Sequence, residues 1–258
     1  MRFGVVGDPV DHSRSPAIHN AGFEAFGIDA RFVALRTPAD GFDAIVRDLR
    51  SGALDGVSVT MPHKDNAYDS VDDLDDLAAR SLAVNTIVAT RGRLHGYNTD
   101  VEGVRYAVSK LGLTEGSPVL VLGYGGAARA ALVALDGPRP ISISGRDLDK
   151  ARAFVASVDV DTDLVAWETA MPDAIVVNAT PLGMHGEDLP AGLVEAAAGF
   201  VDMTYGSGTT PAIRAAEQRH IPSADGLDML VGQAVRAFEL FTGRPAPLHV
   251  FEQAARAG

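Results

Sequence analysis

Val119-Leu120-Val121-Leu122-Gly123-Tyr124-Gly125-Gly126-Ala127-Ala128-Arg129 runs from an apolar stretch into a glycine turn, and Ala130 to Leu135 continues it as a helix-like segment. A buried strand, a turn rich in glycine and a helix N-terminus in that order form a cradle for a dinucleotide pyrophosphate. Gly123 permits the sharp turn, Gly125 admits the phosphates close to the backbone, and Ala128 is small enough for the helix to pack on its strand. The unpaired N–H groups of the first helical turn then face the anion. Glycine turns of this kind also serve as plain packing devices, but here the strand, the helix and the next βα unit are all present. The pattern predicts cofactor contacts from Gly123, Gly125, Gly126 and Ala127.

The next strand-like run, Ile141-Ser142-Ile143-Ser144, ends about 20 residues beyond Gly123, where such folds place the group that reads the adenosine ribose. Gly145-Arg146-Asp147 follows, and then Lys150. Arg146 and Lys150 suit a 2′-phosphate, the guanidinium by forking to its oxygens or stacking on adenine. An acidic residue here suits the free 2′-hydroxyl of NAD, unless Asp147 is the N-cap of a helix from Leu148 to Val155. The reading favours NADP and leaves NAD possible.

With 258 residues, 47% of them apolar, the chain can bury one large core or two modest ones. A net charge of −12 argues against nucleic-acid or anionic-membrane surfaces, so an anionic ligand must be met by a local cluster of donors. The absence of cysteine excludes disulfides, a thiol nucleophile and thiolate metal sites. The N-terminal Met1-Arg2-Phe3-Gly4-Val5-Val6-Gly7 reads as a strand and turn instead of a signal sequence, and the apolar stretch from Val119 to Leu135 is broken by glycines and Arg129. A cytoplasmic enzyme is the expectation. His12, His19, His63 and His95 lack the spacing of a helix-borne metal site, so no metal is expected, and His63 receives no catalytic role.

In the first hundred residues, strand-like runs Phe3–Val6, Arg31–Leu35, Gly56–Thr60 and Thr86–Ala89 alternate with helical patterns. The first helix is expected to take Ser15 as N-cap and Pro16 as its first residue, with Ile18, Gly22 and Phe26 on one face and Gly27 as its stop. A second is expected from Asp40 to Gly52, and another after Asp100. Strands at Ala174–Asn178 and Gly199–Met203, a helix at Pro211–Arg219 and a longer one from Leu227 to Phe241 complete the pattern. The acidic stretch Asp72-Asp73-Leu74-Asp75-Asp76 reads as a solvated helix start. The expected fold is α/β in two domains: residues 1–100 with 226–258 as a substrate domain to which the C-terminal helices return, and 101–225 as a Rossmann-type, doubly wound dinucleotide domain.

Short polar clusters mark the first domain: His12-Ser13-Arg14-Ser15-Pro16, Val57-Ser58-Val59-Thr60-Met61-Pro62-His63-Lys64, Ala83-Val84-Asn85-Thr86 and Gly96-Tyr97-Asn98-Thr99-Asp100. With the glycine turn, Asn178-Ala179-Thr180-Pro181-Leu182-Gly183-Met184, Asp202-Met203-Thr204-Tyr205 and the segment Gly226 to Ala234, they stand in the order found in the shikimate dehydrogenase family, which this chain resembles from about Phe3 to Phe251.

That resemblance implies reversible, NADPH-dependent reduction of 3-dehydroshikimate to shikimate, in aromatic amino-acid (chorismate) biosynthesis. It implies Lys64 and Asp100 as the catalytic pair, and Ser13 and Ser15 as hydroxyls for the substrate carboxylate, although Ser15 can equally be a helix cap. Thr60, Asn85 and Gln233 resemble the residues that hold the ring hydroxyls, and Tyr205 the tyrosine that reaches the substrate from the nucleotide side. On the cofactor side Asn178, Thr180, Met203 and Gly226 join the glycine turn. The substrate site is expected in a cleft between the domains. The implied partners are the small-molecule substrate and the cofactor, with no nucleic acid and no membrane, and the chain would act as monomer or homodimer. The chain departs from the family's pattern at Ser58, where asparagine is usual, at Tyr124, where a small residue is usual, and at Gly145-Arg146-Asp147, which replaces Asn-Arg-Thr. The paired serines favour shikimate over quinate. The alternatives are an NAD-preferring quinate/shikimate dehydrogenase and a metabolite-binding regulator of the same fold without turnover.

Overall fold

Val119–Leu122 forms a strand buried at all four positions, inside a six-stranded sheet of the computed structural model, which describes residues 1–114, 116–205 and 208–257. A strand covered on both faces has no need of alternation, which is why this run is apolar throughout. The chain separates into two units, Met1–Thr99 with Leu230–Gly258, and Asp100–Met229.

In the first unit the chain follows β1 (Arg2–Gly7), α1 (Ser15–Ala25), β2 (Arg31–Arg36), α2 (Phe42–Ser51), β3 (Gly56–Val59), α3 (Lys64–Ser70), β4 (Asp73–Leu74), α4 (Asp76–Ser81), β5 (Thr86–Thr90) and β6 (Arg93–Tyr97). Its sheet has the order β2-β1-β3-β5-β6-β4, with β5 antiparallel to β3 and β6. The β5–β6 hairpin turns through Arg91 and Gly92 at φ 53° and 80°, the left-handed pair that a two-residue hairpin requires. Because β5 runs backwards, its first residue, Thr86, stands opposite Ser58, near the carboxyl end of β3.

The second unit contains α5 (Asp100–Ser109), β7 (Val119–Leu122), α6 (Gly126–Leu135), β8 (Ile141–Ser144), α7 (Leu148–Val155), β9 (Asp163–Val165), β10 (Ile175–Asn178), β11 (Gly199–Asp202), α8 (Pro211–Gln218) and β12 (Ser223–Ala224). Its sheet is parallel, in the order β12-β11-β10-β7-β8-β9. From β7 the chain moves out one way through β8 and β9, then returns to β10 on the other side. This is the doubly wound arrangement, with its switch point between β7 and β10. Helix α9 (Gly226–Thr242) begins in this unit and continues in the first, where α10 (Leu248–Arg256) follows.

One core of the first unit is aromatic. Phe3, Phe23, Phe32, Phe238 and Phe251 are fully buried, and α10 packs on α1 so closely that a Cβ on Gly22 would lie 2.5 Å from the Phe251 ring. His19 stands among these rings, stacked on Phe32 with centroids 4.3 Å apart. The opposite face of the sheet is closed by Phe42, Ile45 and Leu49 of α2 against Val57, Val59 and Ile87. In the second unit, Leu120, Leu122, Val176 and Phe200 pack against Ala212, Ile213 and Ala216 of α8.

Several boundaries differ from the sequence expectation. Ser15 is the first residue of α1 and Arg14 is the cap; the backbone N–H of Ser15 donates to Ser13 Oγ at 3.3 Å, so Ser13 tethers that entry. Phe26 is the C-cap, past the end of the helix, and is exposed, although its ring centroid stays 6.1 Å from that of Phe238. The second helix starts at Phe42, since Gly41 bonds back to Pro38 in a turn. The acidic stretch is only half a helix start: Asp73–Leu74 is an edge strand on β6, and Asp75 caps α4 by accepting from Ala78 N at 2.8 Å. Asp72 instead receives the fork of Arg50 at 2.9 and 3.1 Å, which holds its carboxyl down to about 2. Among the described residues no helix is long and apolar enough to cross a membrane.

His19 generates a pH dependence. Burial lowers its pKa from 6.5 to about 3, so the native state keeps it neutral where the unfolded chain takes up a proton. Its stabilising contribution is complete above pH 6.5 and is lost as the pH falls toward 3. Between pH 7 and pH 5 it should remove about 2 kcal/mol of unfolding free energy. Urea unfolding at the two pH values should show this drop in the parent and a smaller one in His19→Leu; equal drops would contradict the assignment.

Candidate active site

In both sheets several of the polar residues singled out in the sequence, Thr60, Asn85 and Asn178 among them, sit at or beside strand ends. Strand β1 ends at Gly7 and β3 is followed by Thr60, and a Cβ on Gly7 would meet the Thr60 methyl and lie 2.6 Å from Met61 O. Thr60 N donates to Val6 O at 2.9 Å and His63 N to Thr60 O at 3.0 Å, so the chain bends sharply after β3. That bend drives His63 inward. Its ring is fully buried, stacks on Phe42, and its Nε2 lies 2.8 Å from Thr37 O. Lys64, the next residue, opens α3 and stays half-buried.

Asn85 is buried just before β5. Its Oδ1 accepts from Thr99 N at 2.7 Å, Thr86 Oγ1 at 3.1 Å and Thr99 Oγ1 at 3.2 Å, and its Nδ2 donates to Gln233 Oε1 on α9 at 3.3 Å. Two of the expected substrate ligands are therefore in direct contact, and Thr99, which the sequence reading passed over, fixes the first of them. Val59 N donates to Asn85 O at 2.6 Å, which ties this group to the end of β3. Ser13 and Ser15 lie together at the entry to α1, with Ser15 buried. Asp100 is buried at the start of α5, in the second unit.

The glycine turn occupies the switch point of the second unit. Gly123 has φ 110°, and a Cβ there would lie 2.9 Å from Ala179 O, so both conformation and space demand glycine. Gly125 and Gly126 differ: a Cβ on either would meet nothing within 4 Å. Among the described residues no packing calls for glycine at these two positions, while a pyrophosphate brought against the backbone does. Helix α6 starts at Gly126 with Gly125 as its cap, and no side chain caps its first N–H groups. Those donors, the open surface above the glycines and the half-buried Ala127 fit a dinucleotide. Arg129 turns away: its guanidinium donates to Ser157 O and Oγ at 3.1 Å and lies over the Phe154 ring, fastening α6 to α7.

Past β8, Asp147 caps α7 by accepting from Lys150 N at 3.1 Å, while its other oxygen lies 3.4 Å from Lys150 Nζ. The backbone hydrogen bond from Lys150 lowers the Asp147 pKa, with the ammonium adding to it. Arg146 is exposed beside this cap.

On the other side of the switch point, Asn178 and Asp202 end β10 and β11 in register. Asn178 is wholly buried: Nδ2 donates to Leu182 O and Asp202 Oδ1, both at 3.0 Å, and Oδ1 accepts from Thr180 Oγ1 at 2.7 Å and Thr180 N at 3.1 Å. Its side chain shapes the 178–184 loop, so its effect on any ligand runs through the loop. Asp202 accepts in addition from Thr204 Oγ1 at 2.7 Å and Thr210 Oγ1 at 2.6 Å. Burial raises its pKa, and the hydrogen bonds from Thr210, Thr204 and Asn178 oppose that rise. The sequence reading gave Asp202 no part, although an acidic residue ending an apolar strand was the available signal. Met203 N donates to Asn178 O at 3.0 Å, and a Cβ on Gly226 would lie 2.6 Å from the Thr204 carbonyl carbon, so these two join the same corner. Tyr205 follows, half-buried. Among the described residues no group of three or more His, Asp or Glu is placed to hold a metal ion.

Comparison with known proteins adds an independent line. Residues 5–87 match the family model for the shikimate dehydrogenase substrate binding domain, and residues 226–256 that for the shikimate 5′-dehydrogenase C-terminal domain. A shikimate dehydrogenase (NADP(+)) of Nitrosopumilus maritimus is 35% identical, over 99% of this chain and 98% of that protein. Another, from Methylobacillus flagellatus, is 42% identical over 93% of each. The crystal structure of shikimate 5-dehydrogenase from Thermus thermophilus in complex with NADP(H) and shikimate superposes with a TM-score of 0.91 at 33% identity, covering 99% of this chain and 98% of that one. With the doubly wound unit, the glycine cradle and the polar strand ends, these matches assign the chain: it belongs to the shikimate dehydrogenase family.

Proposed function

We propose that the protein is an NADP-dependent shikimate dehydrogenase, catalysing the reversible reduction of 3-dehydroshikimate to shikimate. The observation that carries this reading is the full-length match to shikimate dehydrogenases (NADP(+)). Substrate binding is assigned to the first unit and cofactor binding to the second.

NADPH, when bound, supplies the hydride. Its pyrophosphate would be held over Gly123, Gly125, Gly126 and Ala127 at the start of α6, with the loops of Asn178, Thr180, Met203 and Gly226 toward the nicotinamide ribose. Lys64 meets the charge that develops on the ketone oxygen: its ammonium gives that oxygen a proton as the carbon is reduced, and takes it back in the reverse direction. Asp100 is the second catalytic group of this reading and accepts from a ring hydroxyl. Ser13 and Ser15 donate to the substrate carboxylate, Thr60, Asn85 and Gln233 pair with the ring hydroxyls, and Tyr205 contacts the substrate. A substrate lacking one hydroxyl would leave a buried partner unpaired at about 1–3 kcal/mol, so selectivity follows from this polar set. The Asn85–Gln233 contact supports that reading, because it presets two ligands before substrate arrives.

The preference for NADP is supported by Asp147. Both its oxygens face the first turn of α7, so the acidic group that would suit the free ribose hydroxyl of NAD is engaged by its own helix. Arg146 stands exposed beside it, available to a 2′-phosphate.

Two measurements test these roles. Lys64→Ala should lower kcat for shikimate oxidation by about 10²-fold or more with a smaller change in KM, and a kcat equal to that of the parent would remove Lys64 from the chemistry. Arg146→Ala should weaken NADP+ far more than NAD+ in direct binding measurements. Equal weakening of both would make Arg146 an adenine platform or a structural residue.

A further inference from the structure

Two of the chain's departures from its family's pattern, Tyr124 and Gly145, touch each other. Gly123 N donates to Ser144 O at 2.8 Å, holding the ends of β7 and β8 side by side, so the residues just beyond them share one edge of the sheet. A Cβ placed on Gly145 would strike Cδ1 of the Tyr124 ring and lie 2.6 Å from Cε1, a separation real Cβ atoms essentially never show. The φ of Gly145 lies outside the left-handed region, so its backbone does not call for glycine. The ring does. A large residue in the turn and a missing side chain after β8 are one coupled change, in which the ring occupies the space a side chain at 145 would fill.

The neighbourhood of this pair has the parts of a nucleoside site. Gly145 is buried, Tyr124 is half-buried, and Arg146, the next residue, is exposed. Gly125 and Gly126, the next two residues, have open space over them and lead into the uncapped start of α6. Within a doubly wound fold, the nucleoside attached to the pyrophosphate at that turn lies over the ends of these two strands. An aromatic ring pinned against backbone offers a large apolar face and loses little freedom when a ligand covers it.

We propose that Tyr124, buttressed by Gly145, is a cofactor-binding residue: its ring forms the wall against which the adenosine part of the dinucleotide rests. The inference rests on the dinucleotide reading given above and extends it to a residue of this chain's own. Adenosine is common to NADP and NAD, so the ring sets affinity for both, and the choice between them stays with Arg146.

Titration calorimetry of the full chain with NADP+ and NAD+, in the absence of substrate, tests this. Tyr124→Ala should weaken both by about 10-fold and by similar factors, whereas Tyr124→Phe, which keeps the ring, should stay within about twofold of the parent. Gly145→Ala should displace the ring and weaken both dinucleotides as well, and the double variant should bind no worse than Tyr124→Ala alone, because the two changes act on one contact. In thermal unfolding without ligand, Gly145→Ala should lower the midpoint and Tyr124→Ala should restore it in that background. Parent-like affinity in Tyr124→Ala, or a loss in Tyr124→Phe as large as in Tyr124→Ala, would overturn the proposal. A parent that binds neither dinucleotide would instead overturn the function on which it rests.

Discussion

The organisation of this protein depends on sheets whose interior strands are buried on both faces. Strands β7, β8, β10 and β11 have no exposed position, so a polar side chain there loses water and has to be paired within the protein, as Ser144, Asn178 and Asp202 are. Chemistry is displaced to the carboxyl edges, where a strand has ended and the chain is still held. Gly7, Thr60 and Asn85 stand at such an edge in the first unit, and Gly123, Gly145, Asn178 and Asp202 in the second. Each unit also has a place where neighbouring strands send their connections opposite ways. There the chains after β1 and β3, and after β7 and β10, approach so closely that Gly7 and Gly123 have no room for a Cβ.

The rigidity of those edges comes from buried polar groups that are paired within the protein. Asn85 accepts three hydrogen bonds through one oxygen, and Asp202 gathers Asn178, Thr204 and Thr210 around one carboxylate. Such networks fix geometry because each partner removed leaves another unsatisfied in a poorly solvated place. They also separate two kinds of residue in a motif. Asn178 and Thr99 are consumed in holding loops, whereas Lys64, Arg146 and Tyr124 keep part of their surface toward solvent, where a ligand can reach.

Much of this was legible in the sequence because burial on both faces leaves an unmistakable trace. The runs Val119–Leu122, Ile175–Asn178 and Gly199–Asp202 are nearly continuous in apolar residues, and the glycine turn announces the helix after the first of them. Asp147 was readable as a cap, and the structure has it accepting from Lys150 N. Short edge strands left no trace: β4 and β12 have two residues each and β9 three, too few for a period to form. Strand β6, Arg93-Leu94-His95-Gly96-Tyr97, was hidden because its turn uses Arg91-Gly92 in place of the more telling Asn-Gly. The inward placement of His63 followed from a bend after Thr60 that no local pattern encodes, and the meeting of Tyr124 with Gly145 needed the register of two parallel strands.

The central claim is that the protein is a shikimate dehydrogenase that works with NADP+. It is tested most directly by initial rates for shikimate and quinate, each paired with NADP+ and NAD+. The account predicts that kcat/KM for shikimate with NADP+ exceeds the other three values by a wide margin. No turnover with any pair, in a protein that still binds dinucleotide, would contradict it.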